Sequence, residues 1–477
     1  MAARSIWVLA GLSLSMLLSS LGTSIANVAL PTLAQAFTAS FQEVQWVVLA
    51  YLLAVTVPIV SVGRLGDLFG RRRLLLSGIV LFTAASVLCA TAGSLWMLTA
   101  ARALQGLGAA VMMALTVAFV GDAVPEARTG TAMGLLGTMS AVGTALGPSL
   151  GGVLLSGFGW RAIFLANLPL GGLTLLLAHR HLPADARAPG AADRAGFDTV
   201  GTLLLALTLA AYALAMTTGR GRFGALEVAL LLVAVSGGGL FVLVEGRSAS
   251  PLIRLSMLRD RALTASLAMS ALVSTVIMAT LVVGPFYLSR GLGLDVALVG
   301  FALSAGPVAS ALTGVPAGLV VDRFGARRIT RVGLGGMVAG SSVLAVTPSL
   351  SGVAAYVAPI VVLTAGYALF QAANNTAIMT HVGPRQRGVM AGMLGLSRNL
   401  GLITGASVMG ALFAFASAAS DVSAARPEAV ASGMRVTFAA AAVLSAFALA
   451  MASREAGNPH DASDEELSHG GGPGHPL

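Results

Sequence analysis

Long apolar runs separated by short polar turns make up nearly the whole chain. A helix needs about twenty mostly apolar residues to cross a bilayer. Fourteen runs reach or approach that length, at 6–26, 44–62, 74–92, 97–120, 131–156, 161–178, 199–217, 225–244, 263–289, 296–320, 329–347, 352–378, 389–416 and 432–452. The pattern predicts an all-α polytopic membrane protein with fourteen transmembrane helices. Arg4 ahead of the first run suits a signal peptide as well, but the run continues to Ala26 and thirteen more follow, so a retained first helix is expected. Connections are short except at 179–198 and 245–262. The tail 453–477 is polar, acidic at Asp461–Glu466 and rich in Gly at its end, and is expected to be disordered and cytoplasmic.

Charge then orients the helices. Only 10% of the 477 residues are charged, 56% are hydrophobic and mean hydropathy is +0.88, far from a soluble composition. There is no Lys, so all 28 basic residues are Arg. Twenty lie on one set of turns, among them Arg4, Arg64, Arg71–Arg73, Arg128, Arg323, Arg327, Arg328, Arg387 and Arg454; six lie on the other, Arg161, Arg220, Arg222, Arg290, Arg426 and Arg435. The positive-inside rule makes the rich set, and both termini, cytoplasmic. The net charge of +9 is therefore an orientation signal, and no nucleic-acid partner is expected. The lysine-free, Ala- and Gly-rich composition suggests a GC-rich bacterial genome. A single cysteine, Cys89, excludes an internal disulfide, and His460, His469 and His475 fall in the polar tail, so no metal is expected.

The most hydrophilic island is Gly63-Arg-Leu-Gly-Asp-Leu-Phe-Gly-Arg-Arg-Arg73, between the second and third runs. A weaker copy is Gly318-Leu-Val-Val-Asp-Arg-Phe-Gly-Ala-Arg-Arg328. In both, Asp follows Gly by four, the next Gly follows by three and an Arg pair comes after. The glycines Gly130, Gly134, Gly137, Gly143, Gly147 and Gly152 likewise recur 258 positions later, as Gly388, Gly392, Gly395, Gly401, Gly405 and Gly410. The chain therefore reads as two six-helix bundles, 1–178 and 263–452, around a 179–262 linker with two inserted helices. Transporters are commonly built from such repeats, with the site between them at the membrane midplane.

Several motifs in order resemble the major facilitator superfamily, specifically its fourteen-helix drug:proton antiporter family. They are Leu21-Gly-Thr-Ser-Ile-Ala-Asn-Val-Ala-Leu-Pro31, Gln45-Trp46, Tyr51-Leu-Leu53, Gly63–Arg73, Arg102-Ala-Leu-Gln-Gly-Leu-Gly108, Gly143-Thr-Ala-Leu-Gly-Pro-Ser-Leu-Gly-Gly152 and Trp160-Arg161 with Phe164, Asn167 and Pro169. The resemblance implies the major facilitator fold, no enzyme activity, no cofactor beyond a proton gradient, and export of hydrophobic drugs, antiseptics or antibiotics across the plasma membrane. A monomer is expected.

Residue chemistry gives each motif a role. Gly63, Arg64, Asp67, Gly70, Arg71 and Arg72, with Asp322 and Arg323 in the copy, form a candidate gate, since an Asp–Arg bond made in one conformation and broken in the other biases a two-state equilibrium. Gly143, Gly147 and Gly151 recur every four residues and allow close helix approach; with Pro148 and Gly152 they are read as packing against the opposite half. Ala406 stands where Pro148 does in the copy, so a kink is expected in one half only. Arg102 and Gln105, within an apolar run, are read as cavity or proton-linked groups ahead of a static anchor. Arg398 is balanced between a cavity role and snorkelling. Asn27, Tyr51, Gln371, Asn374 and Asn375, with Met112, Met113, Phe286 and Tyr287, complete a wide, soft pocket.

No Asp or Glu lies clearly within a run, and Gly22 stands where the family signature usually has an acid. Glu43 and Asp67 are the substitutes for a proton carrier, and the lack of a midmembrane anion argues against a dedicated dication site. Gly219-Arg-Gly-Arg-Phe-Gly224 matches a dinucleotide fingerprint by string but has no preceding strand. Two alternatives stay open: a selective metabolite or ion transporter on the same fold, and a non-transporting scaffold or receptor. The gate reading predicts that Asp67→Asn inserts normally yet moves substrate several-fold more slowly in vesicles; unchanged flux would remove the gate.

Overall fold

The computed structural model describes residues 3–59, 62, 65–66, 69–123, 129–183, 198–218, 224–248, 259–347, 352–381, 387–417 and 425–454. They form fourteen helices: α1 (Ala3–Ala36), α2 (Phe41–Thr56), α3 (Arg71–Ala90), α4 (Leu95–Ala123), α5 (Thr129–Phe158), α6 (Trp160–His181, with a break at Ala166), α7 (Thr199–Thr218), α8 (Ala225–Glu245), α9 (Arg261–Phe286), α10 (Val296–Phe324), α11 (Ala326–Val346), α12 (Val353–His381), α13 (Arg387–Thr404, prolonged through Gly405–Met409 into Gly410–Ala416) and α14 (Pro427–Arg454). Thirteen are long and apolar enough to span a membrane, and α2 is shorter as described. The expected all-α fold with fourteen helices is present.

Local chemistry explains where the helices start. Ser40 caps α2 through a reciprocal box with Glu43, whose carboxylate accepts from Ser40 N at 2.7 Å. Asp260 and Asp295 accept from the first free amides of α9 and α10. Gly70 (φ 93°) and Gly325 (φ 82°) precede α3 and α11. These are the glycines three residues after the aspartate in each loop copy. Both turn the chain through a backbone region that disfavours other residues.

The duplication extends to the packing. In the first half α1 packs on α5 and α6, α3 on α4 and α6, and α2 on α4. Eight helices later the same pairings recur: α9 on α13 and α14, α11 on α12 and α14, and α10 on α12. Even single hydrogen bonds are repeated. Ser24 Oγ donates to Gly143 O at 3.4 Å, and Thr275 Oγ1 donates to Gly401 O, its counterpart, at 3.1 Å. Bonds of this kind average about 0.6 kcal/mol in a bilayer, so the close backbone contact they accompany contributes more.

The halves meet along α5–α10, α2–α13 and α1–α9. One apolar cluster is shared between them. Its first-half members, including Leu21–Ala34 and Phe41–Leu52, come from the end of the bundle away from the arginine-rich turns. At the arginine-rich end the described clusters stay within one half: Val8, Leu12, Leu75, Leu115 and Phe119 in the first, and Leu267, Met390, Met393, Val321 and Ile329 in the second. The bundle is thus sealed at its arginine-poor end. Phe41 from one half meets Phe286 and Phe413 from the other, with ring centroids 4.8 and 5.6 Å away, and all three are fully buried.

The inserted pair does more than occupy membrane. Helix α7 lies over the α2–α13 seam, where Trp46 Nε1 donates to Thr217 Oγ1 at 3.2 Å. Helix α8 packs chiefly on α7 and turns Leu226, Leu232, Val235 and Leu243 outward.

One approach of the halves is backbone to backbone, where Gly152 of α5 meets Gly300 of α10. A Cβ on Gly300 would sit 2.8 Å from Gly152 Cα and against the carbonyl of Pro148. Gly300→Val is therefore expected to destabilise the sealed end by about 1–3 kcal/mol. In detergent this reads as a lowered thermal midpoint, and an unaltered midpoint would count against the contact.

Candidate functional site

Arg102 is the largest fully buried side chain of the first half. Every direction of its guanidinium is used. Nε donates to Val47 O at 2.9 Å, Nη1 to Gln105 Oε1 at 2.6 Å and Nη2 to Gly22 O at 3.0 Å, while its face lies 4.2 Å from the Tyr51 ring centroid. Gln105 passes its amide to Ser86 Oγ at 2.7 Å, and Tyr51 donates to Ser19 O at 2.7 Å. Arg102, Gln105 and Tyr51 thus staple α1, α2, α3 and α4 together inside one half. This differs from the cavity role read from sequence, where a charge in an apolar run suggests water nearby. Here backbone carbonyls solvate it instead. Gly22 lends its carbonyl to the arginine. A Cβ there would lie 3.0 Å from both the Tyr51 hydroxyl and the Phe82 ring, leaving little room for an acidic side chain.

The glycine motif of α5 also faces differently. A Cβ on Gly143, Gly147 or Gly151 would strike Leu17, Ser24 or Val28 of α1, in the same half. The neighbouring stripe, Pro148 and Gly152, is the one that meets α10 across the seam. A spacing of four places residues on one face but does not say which neighbour that face meets. The second copy obeys the same division. Gly401 and Gly405 face α9, and Gly410 faces Gln45 of α2.

A helix irregularity is present in the second half, contrary to the expectation from Ala406. There the chain forms a π-helical turn over Gly405–Met409 instead of using a proline. A π-turn disrupts the regular hydrogen-bond ladder. Buried Gln45 donates to Ala406 O at 3.1 Å, so the irregularity is bridged from the opposite half.

Of the candidate gate, Gly63, Arg64 and Asp67 lie outside the described residues. Gly70 forms the turn, and Arg72 Nη2 donates to His179 O in the last turn of α6 at 2.6 Å. In the copy, Asp322 and Arg323 are exposed, and Arg323 lies over the Phe324 ring. Glu43, the other proton-carrier candidate, is exposed and engaged in capping α2.

Between the halves at mid-depth is a cavity of about 70 Å³. Thr144 of α5 lines one side; α9, α10 and α12 supply the rest, including Thr280, Ser310, Tyr356, Thr364 and Tyr367. Its polar lining consists of hydroxyls alone. Thr280 and Thr364 donate to their own helices, to Ile277 O at 2.7 Å and Ile360 O at 2.8 Å, and retain lone pairs for a ligand. Tyr356, Ile360, Thr364 and Tyr367 recur at helical spacing, and the stripe continues through Gln371 to Asn374 and Asn375. Arg398 of α13 is partly exposed and is not part of the cavity's lining. Asn374 is buried and donates to Ser266 O of α9 at 3.3 Å, whereas Asn375 is exposed.

Tyr367, Ser310, Thr280 and Thr364 carry no signal in the sequence, because lone hydroxyls in apolar runs are indistinguishable there from packing. Asn27 turns its amide back to Thr23 O and Ser24 O of its own helix. Met112 and Met113 belong to the first-half core, Phe286 to the sealed end, and Tyr287 packs against Tyr356 with centroids 5.7 Å apart.

The profile of the Major Facilitator Superfamily matches residues 12–406 and, in a second match, 263–470. An uncharacterised transporter, YebQ of Escherichia coli, is 34% identical over 81% of this chain and 84% of its own length. Multidrug resistance protein Stp of Mycobacterium tuberculosis is 33% identical over 85% and 74%, and the riboflavin transporter RibZ of Clostridioides difficile 29% over 85% and 88%. Among solved structures, a bacterial homologue of the lysosomal transporter Spinster superposes with a TM-score of 0.68 at 18% identity over 95% of this chain and 98% of its own. The xylose transporter XylE does so with 0.67 at 14% identity over 95% and 98%.

Arg102→Lys loses the fork that reaches three acceptors on three helices, so it is expected to destabilise the protein by about 2–4 kcal/mol. Thermal unfolding in detergent checks this. An unshifted midpoint combined with lost transport would move Arg102 from the staple back to the pathway.

Proposed function

The chain belongs to the Major Facilitator Superfamily and is a multi-pass membrane transporter, and from that premise we propose that it exports hydrophobic small molecules from the cytoplasm by alternating access. One observation carries the reading. The halves share a core at the arginine-poor end and keep separate described cores at the arginine-rich end, with the cavity between these ends. If the arginine-rich end is cytoplasmic, as the positive-inside rule has it, this form is sealed outside and takes its ligand from the inside. A site for a drug-sized molecule occupies roughly 300–1,000 Å³, so a 70 Å³ cavity must widen as the halves part. The glycine contact at Gly152–Gly300 and the Gln45–Ala406 bond are what must release for the outer end to open.

Efflux names among the relatives, Stp and the LfrA pump of Mycolicibacterium smegmatis, support export. The proton gradient is proposed as the driving force, as the resemblance implies. The helix 1 acid is absent and Glu43 is engaged in capping, so Asp67 is the remaining proton-carrier candidate. RibZ motivates a second reading, a more selective carrier of one planar metabolite.

Inverted vesicles bearing the chain are expected to accumulate several unrelated hydrophobic dyes, and to lose that uphill uptake when the proton gradient is collapsed. Uptake of one compound alone would favour the selective carrier, and uptake that persists without the gradient would exclude proton exchange.

A further inference from the structure

The cavity between the halves is lined by no ionic group. Among the described residues every Asp and Glu lies in the first or last turn of a helix or just before one, and neither Arg102 nor Arg398 is part of the lining. The hydroxyls that remain divide by direction. Thr144, Thr280 and Thr364 each donate to a carbonyl of their own helix, Thr144 to Ser140 O at 3.0 Å, and so face a ligand as acceptors. Ser310 of α10 and Tyr356 of α12 make no hydrogen bond among the described residues, so each still has a proton to donate.

Tyr356 is the more constrained of the two. Its side chain is 1% exposed, and its ring packs on Tyr287 with centroids 5.7 Å apart. Its hydroxyl stands against Gly284 of α9, where a Cβ would strike it and where Leu303 of the lining also reaches. Gly284 therefore makes the room that the hydroxyl occupies. A buried tyrosine hydroxyl ordinarily finds an acceptor, and one without a protein partner costs free energy unless a ligand or water supplies it. Phenylalanine would fill the same space without that cost.

We propose that Tyr356 is a specificity residue: its hydroxyl donates to the carbonyl oxygen of an uncharged planar ligand, and the cavity discriminates against organic ions of either sign. This rests on the transport reading and narrows its substrate class to neutral, carbonyl-bearing ring systems. The cavity gives such a ligand a donor, acceptor lone pairs and an apolar wall from Ile277, Leu281 and Ile360. An ion would leave water for a site with no countercharge, and an unpaired charge costs far more to bury than a neutral polar group. Discrimination thus comes from what the site withholds as well as from what it donates.

Acridone, 9-aminoacridine and acridine-9-carboxylate share one three-ring frame and are uncharged, cationic and anionic at neutral pH. With the full-length purified chain in detergent, equilibrium dialysis against protein-free micelles is expected to show acridone bound about ten-fold or more tightly than either ion. Tyr356→Phe should weaken acridone about five-fold, the size of one neutral hydrogen bond. It should leave both ions unchanged and keep the thermal midpoint of the parent chain. An ion bound as tightly as acridone, acridone binding unmoved in Tyr356→Phe, or an equal loss for all three would overturn the proposal. So would a lowered midpoint, which would give the hydroxyl a partner within the protein. Exchange across proteoliposomes separates the two readings. Tyr356-dependent acridone binding without exchange of any of the three would leave the neutral site standing and remove transport. Exchange of an ion in preference to acridone would leave transport standing and remove the site.

Discussion

Close approach between helix backbones is the constraint on which this molecule depends. Inside a bilayer the surrounding lipid is as apolar as leucine, so burying leucine between helices gains little. What remains is van der Waals contact, which grows as axes come together. Gly143, Gly147 and Gly151 bring α5 onto α1, Gly401 and Gly405 bring α13 onto α9, and Gly152 with Gly300 brings one half onto the other. Contacts within a half and contacts between halves thus use neighbouring stripes of the same helix. One stripe holds each half together and the next makes the contact between halves.

Polar groups follow the same division. Arg102 spends its charge on carbonyls of its own half, and its neighbours Tyr51 and Gln105 are likewise satisfied there. Gln45, one turn from the aromatic contact at Phe41, reaches instead across the seam to the irregular turn of α13. The bonded network rigidifies the first half, whereas the contact between halves rests on fewer bonds. Helix α7, touching α2 and α13 together, adds a third body to that seam.

The cavity inherits its character from what the halves do not contain. With the described acids confined to helix ends, hydroxyls and apolar groups set its chemistry. The absence of an acid at Gly22 is then more than a missing residue. The space is filled by Phe82 and Tyr51, and the Gly22 carbonyl accepts from Arg102.

The sequence by itself determined the fourteen helices, their duplication and their membrane setting. These depend on local composition: run length, turn glycines and the sign of loop charges act within a few residues. Gly70 and Gly325, matched by spacing alone, have the same positive φ in the structure. The tertiary structure decided which neighbour each face meets. Gly147 and Gly152 look alike in the sequence, yet one meets Ser24 of its own half and the other Gly300 of the opposite half. Arg102 and Arg398 look alike too, both arginines in apolar runs. They part because carbonyls from α1 and α2 converge on the first, which is wholly buried, while the second stays partly exposed. Burial and partnership are properties of helices brought together from distant parts of the chain, and no local pattern encodes them.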